Sequence, residues 1–308
     1  MSKVILPWFD PENQQDYRCL MWNLTRQCTA NCPYCPFHYN HRSPYEHDAA
    51  KIISWIWEQF MKYPAKYTQV SLFGGEPTLH PRFMKIVQTL NELVQNVLVY
   101  TNLSDSVSFY FKTLGYARVS LITTYHENQM SPEMYIQKLR YLKEFATMPG
   151  YEDICKRIIV TVMTSDPSHQ QVFETLRSEG FQVSLAEPHR GGQGHSHLKE
   201  DKTIIDTAGW KKVVNNNANC FTGWECLAGK NNLYIEENGD VFPCQCMGQR
   251  AFLQKEDATA PLTNIVSDPT FDWGNVPATT CTMKACRFEL FLTKTEPVLG
   301  SGEDGNHS

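Results

Sequence analysis

Apolar residues follow two alternating patterns between about residue 20 and residue 190. Short apolar runs, often rich in β-branched residues, are typical of buried parallel strands. The predicted strands are residues 20–25, 69–73, 96–101, 118–124, 158–164 and 182–186. Between them, apolar residues recur at the spacing of amphipathic helices. The chain therefore alternates strand and helix along more than half of its length.

Helix boundary residues support this alternation. Ser131 followed by Pro132 predicts a helix start, because serine caps the free N–H groups and proline fits the first turn. Val172 and Leu176 lie on a further helix, which Gly180 can end. Six strand–helix units predict an α/β fold, a partial (βα)6 TIM-like barrel. A closed eight-stranded barrel usually needs about 250 residues, and the alternation stops too early for one.

The pattern changes at about residue 215. Residues 232–244 read as a β-hairpin, with Asn238 and Gly239 at its turn. We expect a partial barrel over residues 1–214 and a small C-terminal hairpin-plus-helix domain that binds a cluster over residues 215–292. The polar, glycine-rich residues 293–308 are expected to be a disordered tail.

Charge and hydropathy exclude several classes of partner. The formal net charge is −5, so no general basic surface for nucleic acid is expected. No apolar run reaches the length of about 18 residues that a membrane span needs, and no signal peptide is recognisable. Most of the 11 cysteines fall into an early and a late group. Without an export signal, this grouping favours reduced metal ligands in the cytoplasm.

Cys28, Cys32 and Cys35 form the motif C-x3-C-x2-C, the most informative feature of the chain. Three thiolates so close together can hold three irons of a four-iron cluster. The fourth iron then lacks a protein ligand and can bind a reactant. Electron-transfer clusters normally have four protein ligands, and zinc sites favour pairs of C-x2-C. The odd number of cysteines predicts chemistry at the open iron.

This motif resembles that of the radical S-adenosylmethionine (radical SAM) superfamily, whose pattern also has an aromatic residue before the third cysteine, here Tyr34. A second family motif, Gly-Gly-Glu-Pro, follows at Gly74, Gly75 and Glu76. The resemblance implies that SAM chelates the open iron and is cleaved reductively. The 5′-deoxyadenosyl radical so formed takes a hydrogen atom from substrate. The Gly-Gly-Glu-Pro segment would bind the SAM amino group, and a flavodoxin- or ferredoxin-type protein would supply the electron.

The late cysteines resemble those of a twitch domain, the short form of the SPASM extension that carries an auxiliary four-iron cluster. The resemblance implies that Cys226, Cys244, Cys281 and Cys286 hold a second [4Fe-4S] cluster. The C-x4-C spacing at the end departs from the commoner C-x2-C. Cys246 and Cys220 are therefore rival ligands, and a structural zinc in the same thiolates is the alternative.

Polar residues at the predicted strand ends are further candidates for binding the cofactor or the substrate. Relatives often place a polar side chain there against the SAM ribose, carboxylate or adenine. Thr124, Thr123 and Asn102 are candidates in that order, and Glu187 follows the sixth strand. The catalytic residues that act on the substrate are not identified by the sequence.

These observations predict a cytoplasmic radical SAM enzyme that abstracts a hydrogen atom from a small metabolite. The stretch before Cys28 is too short for the winged-helix leader-binding domain that many peptide-maturing relatives carry. Radical modification of a ribosomally made peptide is the alternative enzymatic reading. The non-enzymatic alternative is an iron–sulfur or zinc protein for binding or electron transfer.

Overall fold

A computed structural model describes residues 17–33, 35, 48–163, 170–186, 225–252 and 259–280. Strands and helices alternate through its first part, as the apolar pattern predicts. The strands of this part are β1 (Tyr17–Thr25), β2 (Tyr67–Gly74), β3 (Asn96–Thr101), β4 (Val119–His126), β5 (Ile158–Met163) and β6 (Gln182–Ala186). All six predicted strands are confirmed, with ends that differ from the prediction by a few residues at most.

The helices that connect these strands are α1 (Ala49–Lys62), α2 (Phe83–Leu93), α3 (Val107–Leu114), α4 (Pro132–Glu144) and α5 (Gln170–Ser178). Ser131 caps α4, since its side chain accepts a hydrogen bond from the Met134 N–H, and Pro132 occupies the first turn. Helix α3 was not predicted. It is short, and Ser106 caps it in the same way by accepting from the Phe109 N–H.

The two faces of the sheet differ in burial. Strand β5 alternates between buried and partly exposed residues, with Val160 fully buried and Thr161 partly exposed. The buried set packs under the helices, where Leu72, Val99 and Leu121 are fully buried. Burying one such side chain contributes roughly 1.5–3 kcal/mol. In β4 and β5 the opposite face is less buried and includes Thr124 and Thr161, whereas in β1 and β2 both faces are largely buried.

The described C-terminal strands fall into two sheets. They are β7 (Glu225–Cys226), β8 (Asn232–Ile235), β9 (Asp240–Phe242), β10 (Thr263–Asn264) and β11 (Thr279–Thr280), with helix α6 (Gln245–Phe252) after β9. Strands β8, β9 and β10 continue the first sheet, whereas β7 and β11 pair with each other in a separate two-stranded sheet. The order in the nine-stranded sheet is β10-β9-β8-β1-β2-β3-β4-β5-β6. Strand β8 runs parallel to β1, and β9 returns antiparallel to β8, so the predicted hairpin is present.

The pairing of β8 with β1 has a consequence for the domain boundary. Cys19 is opposite Asn232 and Trp22 is opposite Ile235, so the carboxyl ends of β1 and β8 lie at the same edge. The sheet therefore runs across residue 215, where the domain boundary is predicted. That boundary and the predicted tail, which lies outside the described residues, stay predictions. None of the described helices has the length and apolar character that crossing a membrane requires.

Candidate functional site

The first three strands deliver the sequence motifs to one edge of the sheet. The cysteine loop, which carries Cys28, Cys32 and Cys35, follows β1. The Gly-Gly-Glu segment, residues 74–76, lies at the end of β2, and Asn102 follows β3. Because these strands are parallel and adjacent, their carboxyl ends meet. A β-bulge at the end of β1, between Asn23 and Thr25, breaks the regular pairing just before the cysteine loop.

Gly74 and Gly75 allow the end of β2 to dock against the residues that precede Cys28. The Gly75 N–H donates to the Thr25 carbonyl at 2.8 Å, and the Glu76 N–H donates to the Gln27 carbonyl at 2.7 Å. Gly74 has φ +144°, and a Cβ there would lie 2.2 Å from the Thr25 oxygen. A Cβ on Gly75 would lie 2.2 Å from the Gln27 oxygen. Only glycine fits this close backbone approach.

Glu76 is fully buried and joins β2 to β3. Its Oε1 accepts from the Thr78 N–H at 3.2 Å, the Thr78 hydroxyl at 2.8 Å and the Thr101 hydroxyl at 2.9 Å. Its Oε2 accepts from the Asn102 N–H at 2.7 Å. Burial raises the pKa of the carboxyl, and these four donors oppose the rise. Since a carboxylate offers about four acceptor positions, mainly Oε2 has capacity left for a ligand.

Cys28 lies close to this carboxylate and to the other two cysteines. Its Sγ accepts from the Ala30 N–H at 3.4 Å and from Nδ2 of Asn102 at 3.8 Å. Burial, and then the negative charges of Glu76, Cys32 and Cys35, raise the pKa of the Cys28 thiol to about 11. A bound metal cation has the opposite effect and deprotonates a coordinating thiol. Cysteine sulfurs are the donors that iron–sulfur clusters use, so the residue types in this loop fit such a cluster.

The other two cysteines lie in the same loop. Cys32 is 7% exposed, and the Cys35 N–H donates to the Cys32 carbonyl at 3.0 Å. Tyr34, between them, lies outside the described residues. Within the described part of the chain, no group of three His, Cys, Asp or Glu side chains meets the geometry of a metal site.

Polar residues that the sequence did not single out also contact the cysteine loop. The Thr29 hydroxyl accepts from Nδ2 of Asn102 at 3.2 Å and from Nε2 of Gln129 at 3.4 Å. Nδ2 of Asn128 donates to the Asn31 carbonyl at 3.1 Å. Asn128 and Gln129 follow β4, so their position at a strand end was the signal that could have found them.

The two threonines at the end of β4 point to opposite faces. Thr123 is buried; its hydroxyl accepts from the Tyr135 hydroxyl at 2.8 Å and donates to the Ile159 carbonyl at 3.3 Å. Thr124 is partly exposed and is opposite Thr161, whose hydroxyl lies 3.4 Å from that of Ser184. This polar row lines the open face of the sheet.

That geometry favours Thr124 over Thr123 as a ligand-binding residue, the order predicted from the sequence. His126, the next residue of β4 on the open face, is partly exposed, and burial lowers its pKa to about 4. Glu187 lies outside the described residues.

The late cysteines within the described residues gather beside the hairpin. Cys226 is buried in β7 with Met21, Tyr234 and Phe242, and Cys244 and Cys246 pack against that cluster. A side-chain hydrogen bond joins Cys246 to Cys244, and this bond and burial raise the pKa of the Cys244 thiol.

Strand β11 pairs antiparallel with β7, so that Thr280 is opposite Glu225. Cys281 follows Thr280 directly in the sequence but lies outside the described residues, as do Cys286 and Cys220.

Comparison with known proteins gives one family match. Residues 22–186 match the sequence model of the Radical SAM superfamily, which is more than half of the chain. The matched range begins in β1 and ends with β6. No curated protein matches the chain.

Solved structures with a similar fold are distant in sequence. SuiB of Streptococcus suis bound to S-adenosylmethionine has a TM-score of 0.53 and 14% identity, over 82% of this chain and 64% of that chain. SuiB bound to its precursor peptide SuiA has a TM-score of 0.51 and 15% identity, over 83% of this chain and 66% of that chain. Native anSMEcpe with bound AdoMet and Kp18Cys peptide has a TM-score of 0.51 and 14% identity, over 82% of this chain and 78% of that chain. The chain thus spans less than two thirds of SuiB, and these likenesses show the fold.

Proposed function

The chain belongs to the radical SAM superfamily, and on that premise we propose that Cys28, Cys32 and Cys35 hold a [4Fe-4S] cluster that binds SAM. When bound, the cluster and SAM supply an electron and a 5′-deoxyadenosyl radical that abstracts hydrogen from the substrate. The observation that supports the proposal is the position of the loop that carries these cysteines. The loop follows β1 at the carboxyl edge of the sheet, and Cys28 lies close to buried Glu76 and accepts two N–H···S contacts.

The protein's own contribution is to hold this loop and to orient the cofactor. Gly75 and Glu76 fix the backbone before Cys28 through two hydrogen bonds. The remaining acceptor capacity of Glu76, together with Gly74 and Gly75, would receive the SAM ammonium group. Asn102 and Thr124 would bind the ribose or carboxylate, since one contacts the cysteine loop and the other faces the open side of the sheet. Tyr34, before the third cysteine, and Glu187, after the sixth strand, are proposed as further cofactor-binding residues.

We also propose an auxiliary [4Fe-4S] cluster in the C-terminal unit, in a twitch-like arrangement. Cys226 and Cys244 lie against one apolar cluster, and the pairing of Thr279 with Cys226 brings the chain beside Cys226 two residues before Cys281. These contacts support Cys226, Cys244 and Cys281 as ligands. Cys286 is the predicted fourth ligand, and the contact of Cys246 with Cys244 makes Cys246 its strongest rival.

For the substrate we propose a small polar metabolite. The open face of the sheet presents Thr124, Thr161 and Ser184 in adjacent strands, a row suited to hydroxyl or carboxylate groups. A peptide is the second candidate, favoured by the peptides in the SuiB–SuiA and anSMEcpe structures. We further propose that the reaction takes place in the cytoplasm and uses a flavodoxin- or ferredoxin-type reductant.

Anaerobic reconstitution tests the function. Wild-type protein should cleave SAM to 5′-deoxyadenosine when reduced with dithionite, and Cys32→Ala should not. Cys155→Ala is the matched control, because Cys155 lies just before β5, at the amino end of that strand, whereas the cysteine loop follows the carboxyl end of β1. This variant is expected to leave cleavage unchanged. Equal cleavage by wild type and Cys32→Ala would remove the basis of the proposal.

A deuterium-transfer assay separates the two substrate candidates. Extracts of small metabolites and of short peptides, each deuterated, would be supplied separately to the reduced enzyme. Deuterium in 5′-deoxyadenosine only with the small-metabolite fraction supports the first candidate, and deuterium only with peptides supports the second.

A further inference from the structure

Two adjacent carboxylates are buried in the turn between β8 and β9. The side chains of Glu236 and Glu237 are only 5% and 2% exposed, although acidic residues in a hairpin turn normally face solvent. Both face Arg26, whose side chain is 26% exposed and which stands two residues before Cys28. The turn and the arginine are 210 or more residues apart in sequence. Their meeting is a consequence of the parallel pairing of β8 with β1.

The carboxylate of Glu237 contacts both the backbone and the side chain of Arg26. Oε2 of Glu237 accepts from the Arg26 backbone N–H at 2.9 Å, and Oε1 lies 3.3 Å from Nε of the guanidinium. Nη2 of the same guanidinium donates to Oε2 of Glu236 at 3.4 Å. One planar cation thus spans two carboxylates, a geometry that a lysine ammonium cannot reproduce.

Glu236 ties the same group to the neighbouring strands. Its Oε2 accepts from Nδ2 of Asn23 at 2.7 Å, and its Oε1 accepts from the Tyr234 hydroxyl at 2.7 Å. The Tyr234 ring packs on Phe73 of β2 and directly against Gly248 of α6. The network therefore extends from the hairpin and α6 to the end of β1.

The charges in this network do not balance within the group itself. Two carboxylates share one guanidinium, and all three are largely removed from water. Burying ion pairs is costly, and an apolar replacement of similar volume is often as stable. A network of this kind is better explained by the position that it gives to Arg26 than by its contribution to overall stability.

The opposite side of the same backbone segment is already fixed. Thr25 and Gln27 accept the Gly75 and Glu76 N–H bonds from β2. Arg26, between them, is held by the hairpin from the β8 side. Residues 25–27 are thus hydrogen-bonded on one side to the end of β2 and on the other side to the hairpin, and Cys28 is the next residue.

We propose that Glu236 and Glu237, through Arg26, position the loop of Cys28, Cys32 and Cys35 from the hairpin side. Glu236, Glu237 and Arg26 are positioning residues, since they act on the cysteine loop through the backbone that precedes Cys28. This inference rests on the proposed function in one respect, that the positioned loop binds the catalytic cluster.

Hydrogen exchange in iron-free protein tests directly whether Glu236 and Glu237 hold Arg26 and the backbone beside it. Arg26→Lys keeps the charge, and Glu237→Gln keeps the shape. Each should speed amide exchange at residues 26 and 27 by about tenfold or more, the effect of losing one hydrogen bond to a charged group. Arg140→Lys is the matched control, because Arg140 pairs with Glu179 at the surface through Nε and Nη2 and is 47% exposed. Arg140→Lys should leave amide exchange at residues 26 and 27 at the wild-type rate.

Holoprotein of the same variants provides the second readout. Arg26→Lys and Glu237→Gln should keep wild-type iron content and lose about tenfold in kcat for SAM cleavage. Unchanged exchange at residues 26 and 27 would overturn the inference, and so would faster exchange with unchanged kcat, since the network would then be structural only. If wild-type protein cleaves no SAM, the proposed function fails. The exchange data would in that case still decide whether the hairpin holds Arg26.

Discussion

The Asn102 N–H donates a hydrogen bond of 2.7 Å to Oε2 of Glu76, deep under the carboxyl edge of the sheet. This contact joins the ends of β2 and β3, the strands that deliver both residues. The side chain of Asn102 then reaches Cys28 and Thr29. Glu76, which we propose binds SAM, is thus also part of a structural link between the Gly-Gly-Glu segment and the cysteine loop.

Glu76→Gln should therefore lower both stability and SAM affinity. The amide replaces one acceptor oxygen by an NH2 group, which cannot accept from its present donors. Loss of these contacts should reduce the free energy of unfolding of iron-free protein by about 2–3 kcal/mol in urea titrations. Glu92→Gln, on the exposed side of α2, should change it by less than about 0.5 kcal/mol. Equal stability of wild type and Glu76→Gln would show that the four donors contribute little.

Gly74→Ala should be far more damaging than an alanine at a glycine with free space. Its Cβ would lie 2.2 Å from the Thr25 carbonyl oxygen in a backbone conformation that only glycine adopts readily. We expect a loss of about 3 kcal/mol or more in the free energy of unfolding. Gly180 is the matched control, with φ +88° and nothing within 4 Å of an added Cβ. Gly180→Ala should cost about 1 kcal/mol, and similar losses at both positions would contradict the docking of β2 on the cysteine loop.

His126 should contribute a loss of folding stability as the pH falls from 6.5 to 4. Burial lowers the pKa of His126 to about 4, from an ordinary value of 6.5. Below pH 6.5 the unfolded chain binds a proton that folded His126 rejects, so the free energy of unfolding declines until pH 4. The expected contribution is about 2 kcal/mol, because the imidazole is partly exposed and its shift is partly screened. His126→Gln should flatten this part of the pH profile of iron-free protein; an unchanged profile would show that His126 is not the group responsible.

The sequence predicted the strands and helices of the barrel because their signals are local. Alternation, apolar spacing and the Ser131–Pro132 start all act within a few residues, and the structure confirms them. Period-two alternation also places Thr123 and Thr124 on opposite faces, although the sequence alone does not say which face is open. Helix α3 was missed because eight residues give a weak periodic signal.

Contacts between distant residues could not be predicted in this way. Nothing near residues 232–235 shows that they pair with β1. Glu236 and Glu237 look like exposed turn residues until that pairing is known, since only the tertiary fold removes them from water. The contacts of Asn128 and Gln129 with the cysteine loop have the same origin.

The C-terminal cysteines should bind their own iron. A variant with Cys28, Cys32 and Cys35 all replaced by alanine should keep about four irons per chain and a brown thiolate-to-iron absorption. Further replacement of Cys226 or Cys244 should abolish both. In this background, Cys286→Ala is expected to lose the cluster and Cys246→Ala to retain it. A single zinc with no iron would show that the C-terminal unit is a structural zinc site, and the prediction of an auxiliary cluster would then be wrong.

The central claim is that the iron held by the early cysteine loop has an open position that SAM occupies. The most direct measurement is the electron paramagnetic resonance spectrum of the dithionite-reduced, reconstituted protein, recorded with and without SAM. We expect the g values of the reduced cluster to shift on addition of SAM, and the shift to be absent in Cys32→Ala. A well-formed reduced-cluster signal that stays the same at saturating SAM would contradict the account, because a cluster with four protein ligands has no place for the cofactor.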